Sequence, residues 1–238
     1  MKKILIIGGN SSIGPAIIKK FIDNGNYVIT TYSDKSNKVN LSGENLKPMH
    51  LDLENDKSID KFTKQLFGIT NRIDVAIFLS SILPGKKFTK YSDIDIDKVM
   101  AVNFTGQIKL LHRLFKIFKK NSSILMFSSI SGHKGSYDPI YSASKGALNS
   151  FVKSIIPHLP KGVRINNIAP GLIEGSTMFK NMSSSVRASH KVEIASNKFL
   201  NIEDLSQVVF DLCQDHWAHL NGACIDLNGG QHVRWYSA

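Results

Sequence analysis

A tyrosine and a lysine four residues apart are the side chains of this sequence best suited to proton transfer. Tyr141 and Lys145 open a segment with helical periodicity, and four residues are about one helical turn, so both side chains should project from one face. A free tyrosine has a pKa of about 10, and an ammonium group within about 4–6 Å lowers it. Ser129 ends a preceding apolar stretch and could hold a substrate oxygen against the tyrosine. Such pairs also arise by chance on solvated helices, so the pair alone does not decide the function.

The whole chain suits one domain that attracts anionic ligands. It has 238 residues, 42% of them hydrophobic, and a formal net charge of +11, and we predict a single domain over residues 1–238. The basic residues are scattered and do not alternate with aromatic residues, which argues against a nucleic-acid-binding surface. No apolar stretch approaches the length of a membrane span. The cysteines, Cys213 and Cys224, form neither a metal-binding nor a disulfide pattern, so we expect no metal, no membrane association and a cytoplasmic location.

Alternating apolar and amphipathic stretches predict an α/β fold. Strands are predicted at residues 3–7, 27–32, 49–51, 73–79, 124–127, 164–169 and 223–227, and helices at 13–24, 56–67, 95–119, 141–159 and 202–213. This alternation is typical of a Rossmann-like, doubly wound parallel sheet with helices on both faces. Asn103 and Gly106 interrupt the third helix, which indicates a kink or a site. Residues 172–200 are polar and irregular, and we predict a substrate lid or a disordered loop there.

The loop between the first strand and the first helix has the composition of a phosphate-binding turn. Its residues are Gly8, Gly9, Asn10, Ser11, Ser12, Ile13 and Gly14. Small side chains let the backbone approach a pyrophosphate at the positive end of the helix. Glycines also serve ordinary turns, but the position of this loop within a strand–loop–helix–strand unit favours nucleotide binding. Asp52, beside Leu53 at the end of the third strand, could accept a hydrogen bond from an adenine amino group, although a turn or capping role fits it nearly as well.

Taken together, these residues resemble the classical short-chain dehydrogenases/reductases, including the 3-oxoacyl reductases of that family. The resemblance runs from Gly8 to Gly230. The family's motifs correspond here to the loop of residues 7–14, Asp52-Leu53, Asn103, Ser129, Tyr141 with Lys145, Pro170-Gly171 and Asn228-Gly229-Gly230. Two departures stand out. Ser12 replaces the middle glycine of the phosphate loop, which should narrow the freedom of the turn while keeping a small side chain. Phe78-Leu79-Ser80-Ser81 replaces the family's Asn-Asn-Ala-Gly, which normally steadies the sheet and borders the cofactor, so we expect a shifted or looser cofactor pocket there.

The resemblance implies reversible hydride transfer between a nicotinamide cofactor and a carbonyl or alcohol. It implies that Tyr141 is the general acid in reduction and that Lys145 lowers its pKa and holds the nicotinamide ribose. Ser129 would orient the substrate carbonyl, and Asn103 would anchor a water for proton relay. The implied cofactor contacts are the loop from Gly8 to Gly14, the end of the second strand at Tyr32 and Ser33, Asp52, Leu53, Ser80, Tyr141, Lys145, Pro170, Gly171 and Ile173, the last contacting the nicotinamide carboxamide.

The end of the second strand bears on cofactor preference. NAD-preferring relatives carry an acid there that binds the ribose 2′-hydroxyl and repels a 2′-phosphate. In this sequence the position falls near Tyr32, followed by Ser33, Asp34 and Lys35. Because Tyr32 is not acidic and Ser33 and Lys35 could receive a phosphate, we expect NADPH to be preferred. NADH is the alternative, since no arginine is present and Asp34 lies close by.

The sequence leaves the substrate and two other functions open. The predicted lid contains Met178, Phe179, Met182 and Val186, which favours a partly apolar substrate, and a basic surface also suits an acyl chain on an acidic carrier protein. An epimerase of the same fold would reuse the Tyr-Lys pair. Enoyl reductases usually space that pair more widely, which argues against them.

A non-catalytic NAD(P)-sensing regulatory protein is the alternative from a different class. The changed segment at residues 78–81 favours it, whereas retention of all four catalytic positions argues against it. The family also implies a homodimer or homotetramer, joined through the helices around Leu110 and Phe151 and the last strand.

Overall fold

Seven parallel strands form the centre of the fold. The structure is a computed structural model that describes residues 1–33, 43–231 and 233. Together with a separate pair, the strands of the described residues are β1 (Lys3–Ile7), β2 (Tyr27–Tyr32), β3 (Leu46–His50), β4 (Ile73–Phe78), β5 (Phe118–Phe127), β6 (Arg164–Pro170), β7 (Ile173–Glu174), β8 (Leu200–Asn201) and β9 (Cys224–Leu227). The main sheet has the order β3-β2-β1-β4-β5-β6-β9, and β7 pairs with β8 outside it. The order reverses between β1 and β4, so the predicted doubly wound parallel sheet is confirmed.

Helices cover both faces of this sheet. They are α1 (Gly14–Asp23), α2 (Asp56–Ile69), α3 (Asp93–Met100), α4 (Gly106–Leu114), α5 (Ser131–Lys134), α6 (Pro139–Ser154), α7 (Thr177–Asn181), α8 (Ser184–Val192) and α9 (Ile202–Leu212). One core cluster joins the sheet to α1 and α9, and the other joins it to α2, α4 and α6. None of these helices in the described ranges is long and apolar enough to cross a membrane.

The continuous apolar character of the strands follows from this two-sided burial. In β1, Ile4 and Ile6 belong to one core cluster, whereas Leu5 and Ile7 belong to the other. Successive side chains of a strand point to opposite faces, so a strand covered on both sides is expected to be apolar along most of its length.

The predicted helix over residues 95–119 is interrupted in the middle, as expected, but it ends earlier than predicted. A π-helix at Ala101–Thr105 separates α3 from α4, at the place where Asn103 and Gly106 indicated an interruption. A short 3₁₀ turn follows α4, and from Phe118 onward the chain already belongs to β5. Three exposed polar residues follow Phe118 in that strand, so apolar periodicity could not reveal where it begins.

The segment 172–200 contains more regular structure than its composition predicted. It holds β7, α7, α8 and the first residue of β8. Ser176 accepts a hydrogen bond from the backbone of Phe179, and Ser183 accepts one from Val186, so each serine caps the start of a helix. Serines that looked irregular in the sequence therefore act as N-caps, for which serine is among the preferred residues.

Candidate active site

A cavity of about 920 Å³ opens at the carboxyl ends of β1, β4, β5 and β6. It lies where the strand order reverses, the usual ligand-binding place in doubly wound sheets. The residues predicted for catalysis or cofactor binding that line it are Gly8, Asn10, Ser11, Ser12, Ile13, Ser33, Asp52, Leu53, Ser80, Ser129, Tyr141, Lys145, Pro170, Gly171 and Ile173. The fold therefore gathers side chains from distant parts of the sequence around one cavity.

Tyr141 and Lys145 lie one turn apart at the start of α6. Both are buried, and the Lys145 Nζ lies 5.7 Å from the centre of the Tyr141 ring. The same Nζ donates a hydrogen bond to the Phe127 carbonyl oxygen at 2.7 Å, at the end of β5. This bond fixes the lysine between the helix and the sheet, beneath the cavity that both side chains line.

The pKa of Tyr141 is shifted in the direction opposite to the expected one. Burial raises the pKa of Tyr141. The hydroxyl groups of Ser129 and Ser81 face the phenol and lower this pKa, but by less than burial raises it. Burial also lowers the pKa of Lys145 from 10.5 to about 7, so near neutral pH roughly half of its charge is lost. The expected lowering by a fully charged lysine is therefore wrong for this structure, and Tyr141 is a phenol that holds its proton.

The two neighbouring serines after β5 have different partners. Ser129 faces the Tyr141 hydroxyl, and its Oγ accepts a hydrogen bond from the Ser131 backbone N–H at 3.1 Å. The Ser128 Oγ instead donates to the Lys145 carbonyl oxygen at 3.0 Å. Ser129 is thus the serine near the Tyr141 hydroxyl, while Ser128 ties the helix backbone to the sheet.

Asn103 supports the loop after β4 with its side chain. It is fully buried in the π-helix, and its amide pairs with both backbone groups of Ile82, at 2.8 Å and 2.9 Å. Its Nδ2 also donates to the Ser144 hydroxyl on α6 at 3.0 Å. The neighbouring Val102 lines the cavity, whereas the Asn103 amide links the loop to α6.

Gln107 supports the loop after β4 and was not singled out from the sequence. It is fully buried at the start of α4, and its Nε2 donates to the Ser80 carbonyl oxygen at 2.8 Å. Long polar side chains are rarely buried completely unless they bond to something. The sequence did contain a signal for this buried amide, namely a glutamine one residue after Gly106, next to the apolar face of the predicted helix.

The loop before α1 fits a phosphate group. Gly8 has φ +83°, and a Cβ there would lie 2.6 Å from the Ser80 hydroxyl oxygen. Gly14 does not line the cavity but lets the Gly9 carbonyl approach where a Cβ would overlap it. Helix α1 has no side-chain cap and no acidic residue in its first turn, so its positive end is not neutralised there. Within the described part of the chain, the buried Ser11 hydroxyl has no hydrogen-bond partner. An anion at this wall of the cavity would meet both the positive end of α1 and the Ser11 hydroxyl.

Ser12, which stands where the family has a glycine, links this loop to α7. Its Oγ accepts a hydrogen bond from the Thr177 backbone N–H at 3.1 Å. Both residues line the cavity, as do Met178 and Met182 farther along the same segment. The extra hydroxyl therefore joins the phosphate loop to the predicted lid.

The strand ends on the other side of β1 contribute differently from the prediction. Thr31 and Ser33 line the cavity, but the Tyr32 ring contacts His50, with ring centres 5.8 Å apart, and borders a separate groove. Alternation along β2 explains why Tyr32 faces away. Asp34 and Lys35 lie outside the described residues. Asp52 borders the cavity while its carboxyl group accepts the Glu54 backbone N–H at 2.9 Å, so it also serves a turn.

Four apolar residues from two separate segments line the cavity. Leu83 and Pro84 from the loop after β4 line it together with Met178 and Met182. The two methionines were named as lid residues from the sequence. The other two were missed because they follow the segment that departs from the family motif.

Comparison with known proteins agrees with this geometry. A family model described as "Enoyl-(Acyl carrier protein) reductase" matches residues 7–232. The 3-oxoacyl-[acyl-carrier-protein] reductase FabG of Aquifex aeolicus (strain VF5) is 29% identical over 240 residues, which cover 96% of each chain. A short-chain dehydrogenase/reductase from Brucella melitensis, titled SDR:Glucose/ribitol dehydrogenase, superposes with a TM-score of 0.90 at 23% identity and covers 98% of this chain and 97% of its own.

A second solved structure is similar in extent. The 3-ketoacyl-(acyl-carrier-protein) reductase from Brucella melitensis complexed with NADH has a TM-score of 0.87 at 20% identity, over 98% of each chain. The structural similarities establish the fold, and the family match covers nearly the whole sequence. This chain belongs to the short-chain dehydrogenase/reductase family of NAD(P)-dependent oxidoreductases.

Proposed function

We propose that this protein reduces the keto group of a 3-oxoacyl thioester, using Ser129, Tyr141 and Lys145. The observation that carries the proposal is the meeting of these three side chains in a cavity that continues to the loop at Gly8. The apolar residues that line the cavity, among them Leu83, Pro84 and Met178, suit an acyl chain. The name of the Aquifex relative supports the same substrate class, and a basic surface suits an acidic acyl carrier.

The roles of the residues follow from their protonation and partners. A bound nicotinamide cofactor supplies the hydride, and the loop from Gly8 to Ile13 together with Lys145 would hold that cofactor. Tyr141 donates its phenolic proton to the substrate oxygen as negative charge develops there, and the Ser129 hydroxyl orients that oxygen. Because burial raises the pKa of Tyr141, the phenol stays protonated near neutral pH, which favours reduction over oxidation. Lys145, with a pKa of about 7, can return a proton toward Tyr141.

We further infer a preference for NADPH over NADH. The support is that Ser33 borders the cavity just after β2, and that Tyr32, where NAD-preferring relatives carry an acid, is not acidic. A carboxylate there would repel a 2′-phosphate, whereas a hydroxyl can donate to it. Calorimetric titration with both cofactors tests this inference, and equal affinities would contradict it.

Reduction of an enoyl thioester is the second candidate, since the matching family model carries that description. The spacing of Tyr141 and Lys145 favours the keto group, as the sequence indicated. Supplying 3-oxoacyl and 2-enoyl thioesters of equal length to the same enzyme distinguishes the two reactions. Consumption of the enoyl thioester alone would overturn the proposal.

The proposal is tested by replacing the general acid. Tyr141→Phe should lower kcat by about 10²–10⁴-fold, the usual contribution of a positioned acid, and should change the dissociation constant of NADPH by no more than a few fold. Tyr137→Phe is the matched control, because that ring is 65% exposed four residues earlier, and its activity should equal that of the wild type. Tight cofactor binding without turnover of any thioester would instead favour the NAD(P)-sensing protein.

We also propose that α4 and α6 form a contact between subunits of a homodimer or homotetramer. Phe104, Ile108, Phe151 and Ile155 are partly buried hydrophobic residues on and beside these helices. Their outer edges would be covered by a second copy. Light scattering during gel filtration measures the mass, and a monomer at micromolar concentration would contradict the proposal.

A further inference from the structure

Asp138 is a buried acidic residue that the proposed mechanism does not use. It lies three residues before Tyr141, and only 2% of its surface is exposed. As the N-cap of α6, its Oδ1 accepts a hydrogen bond from the Tyr141 backbone N–H at 3.0 Å. One carboxyl oxygen therefore fixes the first turn of the helix that carries the catalytic side chains.

The other contacts of Asp138 reach the loop that follows β4. Its Oδ2 accepts the backbone N–H groups of Gly85 at 3.0 Å and Lys86 at 3.3 Å. The Tyr91 hydroxyl donates to the carboxyl group at 2.7 Å. Helix capping requires neither the Oδ2 contacts nor the tyrosine, so the carboxyl group does more than begin a helix.

These contacts hold one wall of the cavity. Ile82, Leu83, Pro84 and Gly85 line the cavity. Asn103 anchors this wall at Ile82 through two backbone hydrogen bonds, and Asp138 anchors it at Gly85. Leu83 and Pro84 therefore lie between two fixed points, and the second fixed point is also the N-cap of the Tyr141 helix.

We propose that Asp138 is a positioning residue that sets the distance between Tyr141 and the apolar wall of residues 82–84, and so determines how firmly the apolar chain of the substrate is held. This proposal rests on the proposed reductase function. We call the hydrogen bonds of Asp138 to Gly85, Lys86 and Tyr91 the clamp. If the proposal is right, loss of the clamp weakens the binding of long acyl chains and leaves that of short ones unchanged, because only a long chain extends along the wall. A side chain needed merely for folding would affect all substrates alike.

Asp138→Ser separates the two roles of the carboxyl group. Serine is nearly as good an N-cap as aspartate, but its single hydroxyl cannot reach Tyr141, Gly85 and Lys86 together. Asn201→Ser is the matched control, since Asn201 caps α9 by accepting the Asp204 backbone N–H at 2.7 Å. The control makes the same kind of exchange away from the wall. A Tyr91→Phe variant removes a single donor and should show a weaker form of the same effect.

The kinetic test compares acetoacetyl and 3-oxodecanoyl thioesters of N-acetylcysteamine. In Asp138→Ser, kcat/KM for the long substrate should fall about tenfold further than for the short one, roughly the value of two methylene groups leaving an apolar wall. The difference should appear in KM, with kcat for the short substrate near that of the wild type. Asn201→Ser should change both substrates equally. Equal losses on both substrates in Asp138→Ser would overturn the proposal.

Amide hydrogen exchange tests the clamp without any turnover. The Gly85 and Lys86 amides should exchange at least about tenfold faster in Asp138→Ser than in the wild type, because each loses its acceptor. Exchange in the first turn of α6 should change less, since the serine still caps it. If the wild type reduced no thioester, the proposed function would be wrong. Hydrogen exchange would still show whether Asp138 holds the backbone at Gly85 and Lys86. Unchanged exchange at both amides would refute the clamp whatever the enzyme's activity.

Discussion

Burial of Lys145 should leave a measurable pH dependence in the stability of the fold. The side chain is 1% exposed, and removal from water disfavours its charged form, which lowers its pKa from 10.5 to about 7. Between those two values the unfolded chain holds a proton that the folded protein has released, so the free energy of unfolding rises with pH. A pKa difference of about 3.5 is worth about 5 kcal/mol in full, of which about 2 kcal/mol is recovered between about pH 7 and 9.

Urea denaturation of Lys145→Met at pH 7 and pH 9 measures this contribution. The substitution also removes the hydrogen bond to the Phe127 carbonyl, which lowers stability equally at both pH values. The informative quantity is therefore the change with pH: the wild type should gain about 2 kcal/mol relative to the variant. Lys153→Met, which removes an exposed lysine from the same helix, should behave like the wild type. A constant difference between the wild type and Lys145→Met would refute the assignment of a neutralised lysine.

Three further predictions concern buried polar groups. Gln107→Leu deprives the Ser80 carbonyl of its partner and should raise the dissociation constant of NADPH at least about 5-fold in a fluorescence titration, since an unpaired buried carbonyl costs about 1 kcal/mol or more; an unchanged constant would contradict the support assigned to this amide. Arg164→Met removes the side-chain donor of the Leu212 carbonyl and one of two donors of the Gln214 carbonyl, which also accepts the Trp217 backbone N–H, and should lower the free energy of unfolding by about 1–3 kcal/mol in urea. Because burial raises the pKa of Cys213 to about 12 and that of Cys224 to about 11, neither thiol should react readily with a disulfide reagent at pH 8 until urea unfolds the chain.

The fold was predictable because strands buried on both faces have largely apolar sequences. Four of the five residues of β1 and five of the six residues of β4 are apolar, which distinguishes these strands from strands with one face exposed to solvent. Their alternation with amphipathic helices then specifies a parallel doubly wound sheet. Exposed elements were harder to predict from the sequence. The first half of β5 is largely polar, so no apolar pattern marked it as a strand.

The candidate site was predictable only in part, because motif order does not specify which way a side chain faces. Ser129, Tyr141 and Lys145 lie on structures whose orientation the sequence implies, a strand end and a helix turn. Tyr32 faces away from the cavity because the pleat of β2 assigns alternate residues to opposite sides, and one residue of difference reverses the face. Asn103 lies in a π-helix, where the ordinary helical periodicity that predicts a face does not apply.

The segment that departs most from the family motif shows how such a loop can keep its support. Phe78 and Leu79 occupy the core, 0% and 5% exposed, where the family has two asparagines that could hydrogen-bond. In this chain the bonds come from the helical side instead, from Gln107 to Ser80 and from Asn103 to Ile82. Buried amides can take over because what the loop needs is a paired backbone, whichever element supplies the partner. The altered segment, which was the argument for a non-catalytic sensor, therefore does not by itself indicate a loosened cofactor site.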